Sequence, residues 1–315
     1  MIFTFPTENQ SFMRDSLVVV GTAIKRGFRL LQRTEPLMLS SSTAFFATFS
    51  LSPIIILLVH LFSLYFRSDR VNFQLFRTIG NTVGHETARD IERIVNNFMK
   101  IESNVWITIG GSIFFLFVAT TLLTVIKQAI QKIWRIRAKT KLHLKYHSRD
   151  RVTQLAFIAF TGAMILISVF VDARLGITLD FLQSMWPKAA IIFIRALDAL
   201  FSVVMISFWF TVLFKVLPDA NIKWDTAFSG GLLTGSLFSL GKFILAKILV
   251  HARIATIFGA SASFAVLLLF IFYCSFILYF GAAFTHEYGE IVDSHICPTK
   301  YADEYEERII ETDKG

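Results

Sequence analysis

Long apolar runs recur along this chain, at 37–66, 105–126, 152–171, 189–214, 227–250 and 260–284. A helix of about 20 apolar residues rises about 30 Å, the thickness of a bilayer hydrocarbon core. The runs are continuous rather than alternating, so they read as helices and not as barrel strands. A helix also satisfies its own backbone polar groups where no water is at hand. Hydrophobic residues make up 54% of the 315 and charged ones 17%, against roughly 45–50% and 25% in a soluble domain. The sequence therefore predicts an all-α polytopic membrane protein with six transmembrane helices plus interfacial amphipathic helices.

Charge is distributed unevenly. Residues 127–151 carry nine Lys/Arg against Asp150 alone, whereas the tail from His286 carries nine Asp/Glu against Lys300, Arg308 and Lys314. A basic block of this kind can bind nucleic acid. A cytoplasmic loop obeying the positive-inside rule explains it better, and no nucleic-acid partner is expected. With loop 127–151 cytoplasmic, an even number of spans puts both termini on the cytoplasmic side as well. The division is then a cytoplasmic segment 1–36, a six-helix domain 37–285 with a periplasmic segment 67–104, and an acidic cytoplasmic tail 286–315.

Within the first segment, Met13, Leu17, Val20, Ile24, Phe28 and Leu31 recur at helical spacing while Lys25, Arg26, Arg29 and Arg33 fall elsewhere. That pattern predicts an amphipathic helix lying in the membrane interface. The Leu17–Val20 cluster is too short for a signal peptide. Span 37–66 is longer than a bilayer core and holds Pro53 in Ser50-Leu-Ser-Pro53, where a kink is expected. Segment 67–104 has nearly balanced charge and reads as two short amphipathic helices, and 172–188 reads as a neutral connection ending at Trp186-Pro187. A short solvated helix is expected around Ala302 to Ile310. Cys274 lies in a span and Cys297 in the tail, so neither a disulfide nor a metal site is expected.

Ionisable residues inside spans are costly, about 2.5–3.5 kcal/mol each on insertion scales, and are functional by default. Here they are Arg195 and Asp198, three apart on one helix face, together with Lys242, Lys247 and His60. Counting depth along each span puts Arg195, Asp198, Lys242 and His60 at a similar level in the outer half. Lys247 lies closer to the surface and can snorkel. Two readings compete for the cluster: a polar cavity receiving an anionic or amphipathic head group, or a paired network fixing helix order. Ala227, Gly231, Gly235 and Ser239 form a small-residue ridge on the fifth span that lets another helix approach closely.

Several of these residues carry a resemblance. Ser50-Leu-Ser-Pro53, Leu217-Pro218 followed by Trp224 and Gly230, Lys242, and Gly281-Ala282 resemble the BrkB/YihY family of bacterial inner-membrane proteins, historically mislabelled ribonuclease BN, over roughly residues 25–290. The resemblance implies a six-helix fold, an envelope location, and links to envelope integrity with proposals of lipid or glycolipid export. Family members usually place Glu after the Gly-Ala pair, where this chain has Ala283; Glu287 follows one turn later.

Function is thus expected to be that of a flippase-like exporter of an amphipathic lipid or glycolipid, in contact with the lipid bilayer and with an envelope partner protein. The alternative is a non-transporting scaffold for envelope assembly. An enzyme is not expected. His143 and His147 lie four apart among lysines, a poor basis for RNA hydrolysis without aqueous carboxylates. Gly110-Gly111 and Gly230-Gly231 lack the Lys-Ser/Thr of a phosphate loop, so no cofactor is implied.

Overall fold

The computed structural model describes residues 8–65, 89, 92–93, 105–139, 144–185, 187–251 and 262–305. Among these are seven helices: α1 (Glu8–Arg33), α2 (Pro36–Tyr65), α3 (Val105–Ile133), α4 (Leu144–Met185), α5 (Pro187–Val216), α6 (Trp224–His251) and α7 (Ala262–Ile291). Four short strands lie between and after them: β1 (Ile136–Ala138), β2 (Ala220–Asn221), β3 (Cys297–Pro298) and β4 (Ala302–Glu304). Prolines open α2 and α5, where the missing N–H belongs to a group without an intrahelical partner anyway. Four stretches of the described residues are long and apolar enough to cross a membrane: Leu116–Ile133, Arg149–Ser168, Ala196–Val216 and Phe264–Ile291.

Helix α7 is the hub, packed by α1, α2 and α6; α5 lies against α6 and α4, and α3 against α2. The predicted ridge on α6 makes the tightest of these contacts. A Cβ on Gly231 would stand 2.6 Å from the Ser207 carbonyl oxygen, and one on Gly235 would stand 2.8 Å from the Ser207 Cα. Backbone atoms cannot move aside, so only glycine permits α5 and α6 to meet there. The neighbouring face of α6 interlocks with α7. Thr285 sits over Gly230 and Thr234 over Gly281, each threonine hydroxyl donating to the carbonyl one turn back on its own helix.

The amphipathic helix α1 is present, but its inward stripe is Ala23, Gly27, Leu30 and Leu31, buried against α7. Val20, Ile24 and Phe28 remain exposed on its flank. Gly27 makes this docking possible, since a Cβ would lie 2.9 Å from the Phe284 Cα.

Three predicted boundaries are corrected. The connection 172–188 is helical as far as Met185, inside a 42-residue α4. Asp172, Arg174 and Asp180 are charged but do not break a helix, and the next proline is Pro187. The basic loop 127–151 gives up 127–133 to α3 and 144–151 to α4, because Ile126, Ile130 and Ile133 continue the core face of α3 past Lys127. Instead of a helix beginning at Ala302, the tail forms β4, antiparallel to β1 with Ala302 opposite Ala138; residues 306–310 lie outside the described ones. The segment expected as amphipathic helices, 67–104, also lies outside them save 89 and 92–93. Helix α2 runs unbroken through Pro53.

At one end of the bundle the basic connection, the α5–α6 turn and the acidic tail are knitted together. Strand β3 pairs with β2, placing Ala220 opposite Pro298. The Thr299 N–H donates to the Asp219 carbonyl at 3.0 Å and the Tyr305 N–H to the Arg135 carbonyl at 2.9 Å. Lys139 Nζ reaches Asp303 at 3.2 Å. The largest fully buried side chains sit beneath, among them Trp134, Phe214, Tyr279 and Phe284. Trp134 donates its indole N–H to the Ala282 carbonyl at 2.8 Å, joining α3 to α7.

Candidate functional site: a buried ion cluster at the basic end

Lys127 belongs to the last two turns of α3, Asp150 to the second turn of α4, and Asp219 to the turn after α5. Three separate elements thus bring together three charges that are 23 and 69 positions apart in the chain. The Lys127 ammonium bonds to Asp150 and lies 2.8 Å from Asp219 Oδ2. Its side chain is only 4% exposed. Two amides complete the network. Gln131 donates to Asp219 at 3.0 Å, and Gln154 to Asp150 at 3.2 Å and to Thr124 at 2.9 Å. The Gln154 Oε1 is buried and has no hydrogen-bond partner.

Burying an ammonium costs several kcal/mol and is tolerated only when carboxylates and hydrogen bonds compensate it. Here one cation lies between two anions at the centre of the cluster. Two further cations stand beside it: Arg149 and Lys215 line a cavity of about 190 Å³ together with Lys127, Asp150, Pro218 and Asp219. Arg149 stacks 4.5 Å from the Tyr301 ring centroid, and Lys215 donates to the Ile222 carbonyl 5.6 Å from the Trp224 ring. On the far side of Asp150, Arg151 bonds to Thr120 and lies 5.4 Å from the Phe117 ring. The arrangement can hold an anionic group in the cavity mouth against Arg149 and Lys215.

Of the predicted cluster Arg195, Asp198, Lys242 and His60, only Asp198 and Lys242 have side chains among the described residues. Asp198 is exposed on α5 and Lys242 half-buried on α6, and no ion pair joins them among the described residues. Arg195, Lys247 and His60 lie on α5, α6 and α2, with side chains outside the described residues. Pro53 is within α2, and Pro218 is buried in the cavity wall. Ala283, at the position of the usual family Glu, is fully buried under Gly27 of α1, leaving a carboxylate no room to ionise there. Glu287, one turn on, opens into a second cavity beside arginines. The sequence signal for the real cluster was Asp150, the lone acid of a block of nine cations.

A bundle of long apolar helices with its ionic chemistry at one end defines a polytopic helical membrane protein. The chain belongs to the family described as virulence factor BrkB, whose model matches residues 28–300. It is 22% identical over 260 residues to a UPF0761 membrane protein of Janthinobacterium sp. (strain Marseille), covering 82% of this chain and 57% of that one. It is 23% identical over 291 residues to one from Prosthecochloris aestuarii, covering 91% and 66%. A third, from Vibrio atlanticus, is 28% identical over 186 residues, covering 58% and 56%. The chain spans about three-fifths of the length of the curated relatives it matches. No solved structure matches it.

Proposed function

We propose that this protein is a flippase-like transporter of an anionic amphipathic substrate in the bacterial inner membrane, not an enzyme. It would have six spans and place its basic end and both termini in the cytoplasm. The observation that carries this reading is Lys127, almost wholly removed from water between Asp150 and Asp219 beside a cavity flanked by Arg149 and Lys215. The three charges come from three elements, so loading or discharging the cluster alters how α3, α4 and the α5–α6 turn hold together. That is the coupling a gate needs. Export of a lipid or glycolipid would then contribute to envelope integrity.

A reconstituted protein should move a fluorescent anionic phospholipid between leaflets. Lys127→Met should abolish movement and Lys127→Arg retain part of it, while both variants stay folded. A second reading, a non-transporting scaffold, is supported by β2–β3 pairing directly over the cluster, which ties Asp219 to Thr299. Under that reading the wild type moves no lipid, and the only loss in Lys127→Met is thermal stability in detergent.

A further inference from the structure

A second cavity, of about 170 Å³, lies at the same end of the bundle but between other elements. Arg26, Arg29 and Arg33 enter it from α1, three and four residues apart and so on one helix face. Arg135 enters from the turn after α3, Leu30 lines it, and Glu287 of α7 is its one carboxylate. Four guanidiniums against that single acid leave three positive charges in excess. Among the described residues none of the four guanidiniums makes a hydrogen bond or ion pair; Glu287 is 3.8 Å from His286 instead. Glu287 offsets part of this charge through Arg26 and Arg135, and the positive excess that remains, open to solvent, suits the cavity to an external anion.

The backbone fixes where Arg135 departs. Arg135 has φ of 55°, the left-handed conformation that also closes α1 at Glu35 and α7 at Asp293 and is ordinarily given to Gly or Asn. The surroundings indicate which anion. Helix α1 exposes Val18, Ile24 and Phe28, and the apolar stretch of α7 ends just past Glu287. The guanidiniums therefore lie at the level where acyl chains give way to head groups.

We propose that this cavity binds the phosphate of an anionic lipid head group, with Arg29 and Arg33 gripping the oxyanion through paired N–H donors and Arg135 closing over it. The proposal is independent of transport: the site tethers α1 to the bilayer and to α7 whether or not any substrate moves. The full-length protein in a non-ionic detergent, titrated with short-chain phosphatidylglycerol and followed by native mass spectrometry and thermal unfolding, tests it. Phosphatidylglycerol should bind and raise the unfolding temperature. Phosphatidylcholine of equal chain length, inorganic phosphate and glycerol phosphate should do neither. Arg29→Gln with Arg33→Gln should weaken binding about tenfold or more, while Lys223→Gln with Lys300→Gln, an equal loss of charge outside the cavity, should not.

Arg135→Gly separates binding from folding, because it removes the guanidinium and also relieves the left-handed strain. It should raise the unfolding temperature of the lipid-free protein and weaken lipid binding together. Equal binding of phosphatidylcholine, undiminished binding by the double variant, or equal affinity for glycerol phosphate would each overturn the assignment.

Discussion

The two halves of this bundle handle charge in opposite ways. At the basic end Lys127 is enclosed by two carboxylates and two amides, and two short strand pairs fasten the chain above it. Away from that end, Asp198 is exposed on α5 among Leu197, Leu200 and Val204, which are exposed as well. An ion in a span is conspicuous in a sequence, yet here it does not recruit a partner among the described residues. An ion at the margin of a span is inconspicuous, yet it is the one the fold encloses. Enclosure follows from geometry: a helix end meets a turn and a neighbouring helix, so three backbones converge there and can offer three side chains to one point.

Substitutions that should differ in size between the halves test the contrast. Lys127→Met removes the shared buried cation from between Asp150 and Asp219, and should cost about 3–5 kcal/mol of unfolding free energy in detergent. Neutralising all three positions together should return much of that loss. Gly231→Val forces α5 and α6 apart at Ser207 and should cost about 1–3 kcal/mol by overpacking, read as a lower melting temperature. Asp198→Asn should change stability by no more than about 0.5 kcal/mol. A loss there as large as that of Lys127→Met would erase the distinction between the halves.

The smallest effect concerns His295, on the exposed segment after α7. Glu290, at 2.9 Å, chiefly holds its pKa above the usual 6.5, and Asp293 adds to this. The folded form thus binds the proton more tightly, so the contribution is complete below pH 6.5 and is lost as pH rises through the raised value. Glu290→Gln should move the histidine titration midpoint down, as read by NMR of the imidazole protons.

Much of the fold was legible because apolar runs and small-residue spacing report directly on helices and their contacts. The Gly231–Gly235 ridge faces α5, and α1 is helical as expected, though it buries Ala23, Gly27, Leu30 and Leu31 and not the Val20, Ile24, Phe28 stripe. The site was less legible. Lys127 sits at the edge of a basic block, where summed charge reads as a solvated loop, and only the continuing Ile126, Ile130 and Ile133 spacing shows that the helix carries it inward. Asp219 follows a proline in a turn, a place where acids are commonplace. Strands of two and three residues have no period to detect, so β3 and β4 gave no signal. The 172–185 segment reads as a neutral connection because it falls between two apolar runs, although nothing in it stops a helix.

The seat of α1 on α7 also has a consequence for assembly. Gly27 and Phe284, which meet at that seat, stand about 250 residues apart in the chain. At a synthesis rate of about 5–20 residues per second, α1 leaves the ribosome roughly 12–50 s before its partner exists. During that interval its Gly27 notch and its arginine row have only the membrane to hold them. Of these two packed helices, the one made earlier must therefore wait on the bilayer for the one made later.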